Sequence, residues 1–339
     1  VDVANPSIKD VADSAGVSVG TVSNVLNHPD RVSPVTLTVV NRIIEALGYV
    51  RNDAARQLRA GHSTVIGMVV PDITNPFFTG VLRGVEDAAE DSDLSLIVGD
   101  SGDSEVRQES YMDLFEKQRV RGMLVSPVGV LPSRLSEMAK RGTPVVLVDH
   151  DGTETGVSSV SVDDVAGGYM ATRHLLETGA RRIGFLAGLF GYKQVTDRLK
   201  GAELAVSEYP GARLEVIRAV NQSALAGREA ADGIARRPKG EVPEAIFAVN
   251  DMLALGVLQA FMGASRIRVP DDVALVGYDD VEFAQAAIAP LSSVRQPANV
   301  MGRTALTLLQ EQIADPTAAP RTVIFEPELV IRASSGAIR

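Results

Sequence analysis

The chain contains no cysteine and no tryptophan, and aromatic residues make up only 4% of its 339 positions. Without cysteine there are no disulfides and no thiolate metal sites, which suits a reducing compartment and gives the cytoplasm as the expected location. With so few rings, a long oligosaccharide needing several stacking platforms is a poor ligand candidate. No apolar run approaches the ~18 residues of a membrane span, and no basic-then-apolar leader opens the sequence, so no membrane partner is expected. No Gly-x-Gly-x-x-Gly follows a strand pattern, and neither a Walker loop nor a nucleophile elbow occurs. There are four histidines; His28 and His62 read as loop residues, and no metal-ligand spacing emerges. Neither a metal nor a cofactor is expected.

Positive charge is also short. The formal net charge is −10, which argues against a general polyanion binder. The shortage is uneven: up to Thr64 six basic and six acidic residues balance, while the other 27 basic and 37 acidic residues carry the whole excess. The N-terminal segment is therefore the less acidic part, without being a basic tail. Hydrophobic residues at 45% and charged residues at 22% leave ample material for a core. The length suggests two domains plus extras at ~150 residues each.

From Val65 onward, apolar runs alternate with amphipathic stretches. "TVIGMVVP", "LSLIVGD", "RGMLVSP" and "TPVVLVD" read as short buried strands, with helical patterns near 76–91, 104–118 and 132–141 between them. The alternation resumes with "VSSVSV", a helix near 164–178, "RIGFLAG", a helix near 194–207, "RLEVIRAV", a helix near 224–236, "AIFAVN", a helix near 251–262 and "VALVGYDD". "LSSVRQP", a helix near 299–314 and a last strand pattern, "RTVIFEPELVIR", complete it. Such alternation predicts parallel sheets with helices on both faces, here two doubly wound lobes, with ligands expected beyond the carboxyl ends of the strands.

The first fifty residues are patterned differently. Ser7 and Asp10 suit a capping pair for a helix from Ile8 to Ser14, ended by Gly16, and Ser18 suits the cap of a second. Val22, Val25 and Leu26 would face the first helix, leaving Val19, Gly20, Thr21, Ser23 and Asn24 outside. A third helix over 34–47, opened by Ser33-Pro34, would close the unit with Val35, Val39, Ile43 and Leu47. The pattern is open to two readings, a structural helical hairpin or a helix-turn-helix whose second helix enters a major groove. The small, polar free face favours the second.

"IKDVADSAGVSVGTVSNVLN", "LGYVRNDAARQL" and "IGMVVPDITNPFF", followed by "RLKGAE", "AVNDMLALG", "VALVGYDD" and "PLSSVRQP", resemble the lactose-repressor (LacI/GalR) family of transcription regulators along essentially the whole chain. The resemblance implies an N-terminal all-α helix-turn-helix head (1–50), a hinge (51–63) and an α/β effector-binding and dimerisation core (64–339) of periplasmic-binding-protein type. The first lobe is expected at about 64–161 and 292–321, the second at about 162–290 and 322–339. Carried over by position, Val19, Gly20 and Asn24 would read bases. Family members often have Ala and Arg where Gly20 and Asn24 stand, and asparagine pairs with adenine where arginine favours guanine. Thr21, Ser23 and Tyr49 would contact phosphates. The hinge would order in the minor groove, with Leu58 as an apolar wedge, Ala55 allowing close approach and Arg59 at the groove wall; a flexible linker is the plainer alternative. A head of zero net charge implies modest non-specific affinity.

In the core, Asn75, Phe77 and Phe78 follow the first strand, Asp149 ends another, Asn250 and Asp279 lie at the ends of two more, Gln296 follows "LSSVR", and Arg198 sits early on a helix. Each has a plainer role: Asn250 as a helix cap, Arg198 paired with an acid such as Glu203, Phe77 and Phe78 as core. As a set they resemble the sites of ribose-type binding proteins and repressors, which implies a small polyhydroxylated effector, a pentose or other monosaccharide or polyol. Two departures put ribose itself in doubt: Asn221 and Gln222 stand where an aromatic often stacks, and His150 follows Asp149. Two rivals remain. One is a nucleoside, purine or phosphorylated effector. The other is a glycoside hydrolase using Asp149 and Asp279, which would need a separation of ~5–9.5 Å and is disfavoured if Arg198 keeps both ionised. The expected protein is not an enzyme. It is a dimeric repressor on a pseudo-palindromic operator, with no leucine heptad after "ELVIR" to join dimers.

Overall fold

A computed structural model describes residues 6–49, 63–129, 134–153, 155–263 and 267–336. The chain divides into two compact units, Val1–His62 and Ser63–Arg339.

In the first unit, α1 (Ile8–Ala15) begins at a reciprocal capping box. The Ser7 backbone donates to Asp10 Oδ2 at 2.7 Å, and the Asp10 backbone donates to Ser7 Oγ at 3.4 Å. Gly16, at φ 65°, ends α1 in the left-handed conformation that glycine adopts without strain. Helix α2 (Val19–Asn27) is capped by Ser18, whose Oγ accepts from the Thr21 backbone at 3.0 Å. Helix α3 (Pro34–Leu47) starts on Ser33 with Pro34 at its first position. Val11, Ala12, Val22, Val25 and Val40 form the core, flanked by Leu26, Leu37, Ile43, Ile44 and Tyr49. The face expected of α3 is only partly the buried one. Val35, Val39 and Leu47 are 75%, 40% and 38% exposed. Two apolar rows run along this helix, both at legitimate i, i+3/i+4 spacing, and the row through Leu37, Val40 and Ile44 meets α1 and α2.

The second unit holds two six-stranded sheets. The first contains β1 (Val65–Val70), β2 (Ser95–Asp100), β3 (Met123–Val125), β4 (Val145–Val148), β5 (Ser158–Val162) and β11 (Thr322–Phe325), in the order β11-β5-β4-β3-β1-β2. The second contains β6 (Arg182–Ala187), β7 (Arg213–Arg218), β8 (Ala245–Ala248), β9 (Ala274–Asp279), β10 (Ser292–Arg295) and β12 (Glu328–Val330), in the order β12-β10-β9-β8-β6-β7. The pairings are parallel except β10 with β12. Helices α4 (Pro76–Glu90), α5 (Glu105–Lys117), α6 (Leu135–Lys140) and α12 (Ala298–Ala314) belong to the first lobe. Helices α7 (Asp164–Glu177), α8 (Lys193–Ser207), α9 (Ala224–Ala235), α10 (Asp251–Met262) and α11 (Glu282–Ala286) belong to the second.

The lobe boundaries differ from the expected 292–321 and 322–339. Strand β10 pairs with β9 (Ser292↔Val276), so 292–295 belongs to the second lobe and the chain crosses only after it. "RTVIFEPELVIR" is not one strand: β11 pairs with β5 in the first sheet, Pro327 interrupts, and β12 pairs with β10 in the second. A four-residue apolar run carries no mark of which sheet it will join. The helix between them does, because Met301, Ala305, Leu306 and Leu309 of α12 pack into the first lobe's core. There α12 runs so close to α4 that a Cβ on Gly84 would lie 2.0 Å from the Asn299 carbonyl oxygen. The last turn, Ala333–Ser335, is pinned into the second lobe. Ser334 Oγ donates to the Leu275 carbonyl at 2.6 Å, and Ser335 Oγ lies 2.8 Å from His174 Nε2 and 2.7 Å from Ser292 Oγ.

Candidate functional site

On the head, the α2 face away from the core presents Val19 at 41% exposure, with Gly20 and Asn24 also exposed. Thr21 and Ser23 are half-buried beside them. Thr21 Oγ1 lies 2.9 Å from Ser18 Oγ, and the Ser23 carbonyl accepts from Asn27 Nδ2 at 2.7 Å. Tyr49 packs half-buried against the head core. Ala55, Leu58 and Arg59 lie outside the described residues.

In the core unit, one cleft between the sheets gathers Asn75, Phe77, Phe78, Asp149, Arg198, Asn250, Asp279 and Gln296. Its empty volume is about 750 Å³ with the open solvent at its mouth included. The first lobe contributes the start of α4 and the end of β4; the second contributes α8, the start of α10 and the ends of β9 and β10. Asn75 caps α4 through Oδ1 (3.0 Å from the Phe77 nitrogen), and Asn250 caps α10 through Oδ1 (2.9 Å from the Leu253 nitrogen). The capping role and the lining role therefore coincide. Phe77 and Phe78 likewise serve as core and wall, buried and edge-to-face at 5.1 Å.

Arg198 is buried, but Glu203 is not its partner. Its Nε donates to Asp164 Oδ1 at 2.7 Å, one terminal nitrogen donates to the Val249 carbonyl at 2.6 Å, and its guanidinium lies 3.6 Å from the Tyr278 ring centre. Nor does it hold Asp149 and Asp279 ionised. Burial pushes Asp149 up to about 8, with the Asp164 charge adding to the rise and Arg198 opposing it. Burial likewise pushes Asp279 up to about 7 against the pull of Arg198. Burial outweighs the guanidinium, whose hydrogen bonds go to Asp164 and the Val249 carbonyl.

Asp149 accepts from Gln194 Nε2 at its backbone oxygen (2.5 Å) and at Oδ2 (2.8 Å), and Asp279 Oδ1 accepts from Gln296 Nε2 at 2.8 Å. Asn75 is near enough to lower the Asp279 pKa, yet Asp279 Oδ2 has no partner at hydrogen-bond geometry among the described residues. The same holds for Asp149 Oδ1 and Gln296 Oε1. Gln296 Oε1 is an acceptor, the two aspartate oxygens are acceptors when their carboxyls are ionised, and buried acceptors left unmatched ask for donors. Both aspartates also have left-handed backbones, φ 57° for Asp149 and 107° for Asp279, sparsely populated geometry of a kind found at ligand sites.

The sequence reading foresees neither the lining residues Gln194, Tyr192, Asp103 and Leu189 nor Asp164 as the partner of Arg198. Gln194 is readable in principle, since it lies four residues before Arg198 on the same helical face. Asp164 is not, because an acid in a first helical turn needs no ligand to explain it.

The chain's own relatives bear on this geometry. A family model described as bacterial regulatory proteins, lacI family, matches residues 7–52, and one described as a periplasmic binding protein-like domain matches 172–335. The transcriptional repressor PurR of Photobacterium profundum is 34% identical, covering 97% of this chain and 98% of its own. The transcriptional regulator CelR of Thermobifida fusca is 35% identical over the same shares. Among solved structures, a CelR–cellobiose complex matches with a TM-score of 0.71 at 31% identity, covering 97% of this chain and 99% of that one. The lac repressor dimer bound to operator and the anti-inducer ONPF matches with a TM-score of 0.79 at 25% identity, covering 98% and 100%. These relatives are regulators, which removes the hydrolase reading of the two aspartates.

Proposed function

The chain belongs to the lacI family of bacterial regulators, and from that premise we propose that it is a dimeric, cytoplasmic repressor gated by an uncharged polyhydroxylated molecule, a monosaccharide or small polyol, in the interlobe cleft. The carrying observation is the trio of unmatched buried acceptors, Asp149 Oδ1, Asp279 Oδ2 and Gln296 Oε1, which suits a ligand rich in hydroxyl donors. Four carboxyls, Asp72, Asp103, Asp149 and Asp279, line the cleft beside the guanidinium of Arg198 among the described residues, which disfavours a phosphorylated effector. A nucleoside is the second reading, favoured by the Phe77–Phe78 edge as a stacking surface.

Calorimetric titration with ribose, other pentoses, hexoses, cellobiose, polyols, nucleosides and sugar phosphates tests this. The expected result is a saturable signal from an uncharged sugar or polyol that is lost in Asp279→Asn. Binding confined to a nucleoside or a phosphate ester would overturn the proposed effector class and leave the regulator in place.

On DNA, Val19, Gly20 and Asn24 are the proposed base readers, and Thr21, Ser23 and Tyr49 the phosphate contacts, with a two-fold operator matching a two-fold dimer. Ala55, Leu58 and Arg59 are the proposed minor-groove contacts, Leu58 as the wedge. Asn24→Arg should move the preferred base under it from adenine toward guanine, a discrimination of about 1–3 kcal/mol. Selection from a randomised half-site library checks it, and an unchanged consensus would remove Asn24 from the reading set.

A further inference from the structure

The backbone that carries Asp279 into the cleft wall is held in an uncommon shape. Asp279 and the next residue, Asp280, both have positive φ, 107° and 54°. Two consecutive non-glycine residues persist in such geometry only where their surroundings enforce it. The enforcement comes from side chains outside the cleft. Asp251, the first residue of α10, is fully buried, and a Cβ on Gly277 of β9 would lie 2.1 Å from its Oδ1. Asp251 Oδ2 accepts from the Val281 nitrogen at 2.9 Å, and Oδ1 accepts from Ser293 Oγ of β10 at 2.6 Å. Ser293 Oγ in turn accepts from the Asp280 nitrogen at 3.0 Å. The two amides that follow Asp279 are thus both tied to this buried pair. The Asp280 side chain is gripped as well, by Arg332 Nη1 at 2.6 Å and Arg295 Nε at 2.8 Å.

We infer that Asp251 and Ser293 are positioning residues of the effector site: they lock the turn after β9 and so aim the Asp279 carboxyl into the cleft, without touching what binds there. The inference rests on reading the cleft as the effector site, but it is tested without any effector. Asn250 and Asp279 line the cleft, whereas Asp251, Asp280, Ser293, Arg295 and Arg332 are outside its lining among the described residues. A turn enforced this way is preorganised, because its strain is met during folding and a ligand does not have to order the carboxyl on arrival. Asp251 follows Asn250 directly, and Ser293 precedes Gln296 by three positions. The helix start and the strand that supply two cleft residues therefore also fix a third.

Nuclear magnetic resonance of the full chain, with its aspartate side-chain carboxyls isotopically labelled, reads the consequence. The Asp279 signal is the one missing from Asp279→Asn. In the wild type it should titrate at about 7, where burial holds it. Ser293→Ala removes no charge but frees the Asp280 nitrogen and one oxygen of Asp251. It should lower the Asp279 midpoint toward the ordinary 3.8, by about 1 pH unit or more, as water reaches the loosened carboxyl. Asp251→Asn and Asp251→Ala remove the same charge, so the difference between them isolates geometry. The asparagine can still accept from Val281 and meet Ser293, and should hold the midpoint about 1 pH unit above that of the alanine variant. A residue that merely stabilised the fold would shift the melting temperature and leave this midpoint alone. A wild-type midpoint already at the ordinary value, an unchanged midpoint in Ser293→Ala, or equal midpoints in the two Asp251 variants would each overturn the positioning role. Should Asp251→Ala fail to fold, Ser293→Ala decides by itself. Failure of the sugar titrations with these midpoints as expected would instead fault the effector assignment alone.

Discussion

Arg198→Ala is expected to lower the stability of the core unit by about 3–5 kcal/mol, the range for removing one partner of a buried ion pair. At about 2–4 °C per kcal/mol for a domain of this size, the melting temperature should fall by roughly 10 °C. The reason is what remains behind. Asp164 would keep its buried position without the 2.7 Å contact from Arg198, the Val249 carbonyl would lose its donor, and Tyr278 would lose the cation over its ring. Pairing the change with Asp164→Leu removes both charges, so Arg198→Met with Asp164→Leu should recover much of the loss. Calorimetric melts of the single and double variants measure this. A double variant as unstable as Arg198→Ala would show that packing, rather than the stranded carboxylate, carries the effect.

The second large effect concerns pH. Asp149 and Asp279 have folded-state pKa values raised to about 8 and about 7, against 3.8 as their ordinary value. Between those limits the folded protein binds more protons than the unfolded chain. The stability from these groups is therefore fully present below about pH 4 and is lost as pH rises from there through the folded values of about 7 and 8, by about 1.4 kcal/mol per pH unit for each. Asp149→Asn keeps the shape and cannot ionise, so it should gain stability relative to wild type as pH rises, by about 3–4 kcal/mol between pH 5 and pH 8. Binding should show the opposite slope. Hydroxyl donors favour the ionised carboxyl, so wild-type affinity should climb about tenfold from pH 6 to pH 8, while Asp149→Asn binds about 10–100-fold more weakly with a flattened profile. Denaturant melts and titrations across pH 5–8.5 test both. Parallel stability curves for wild type and variant would refute the raised pKa of Asp149.

What can be read from the chain alone follows from where local chemistry is sufficient. Ser7, Ser18 and Ser33 each announce a helix start because a hydroxyl there has one good use, and all three caps are made. The eight cleft residues can be gathered because strand ends and the helix starts after them converge in open α/β sheets. The failures have the complementary cause. Val35, Val39 and Leu47 satisfy helical periodicity as well as Leu37, Val40 and Ile44 do, and only the packing partner chooses between them. Arg198 is recognisable as a cleft residue but its partner is not, since Asp164 lies 34 positions away. Strands β10 and β11 fall in each other's expected lobes because sheet membership is settled by which neighbour offers a free edge.

The way the chain threads back and forth between the lobes also has a consequence for the order in which the protein is made. The head's core and caps are complete by Tyr49, long before the sensor exists. The first sheet waits for β11 and the second for β12, and the Ser334 and Ser335 anchors arrive later still. A ribosome that stalls or a message that is cut late therefore releases a folded head attached to an unfinished core. Such a product would carry a complete head without the core that responds to a ligand.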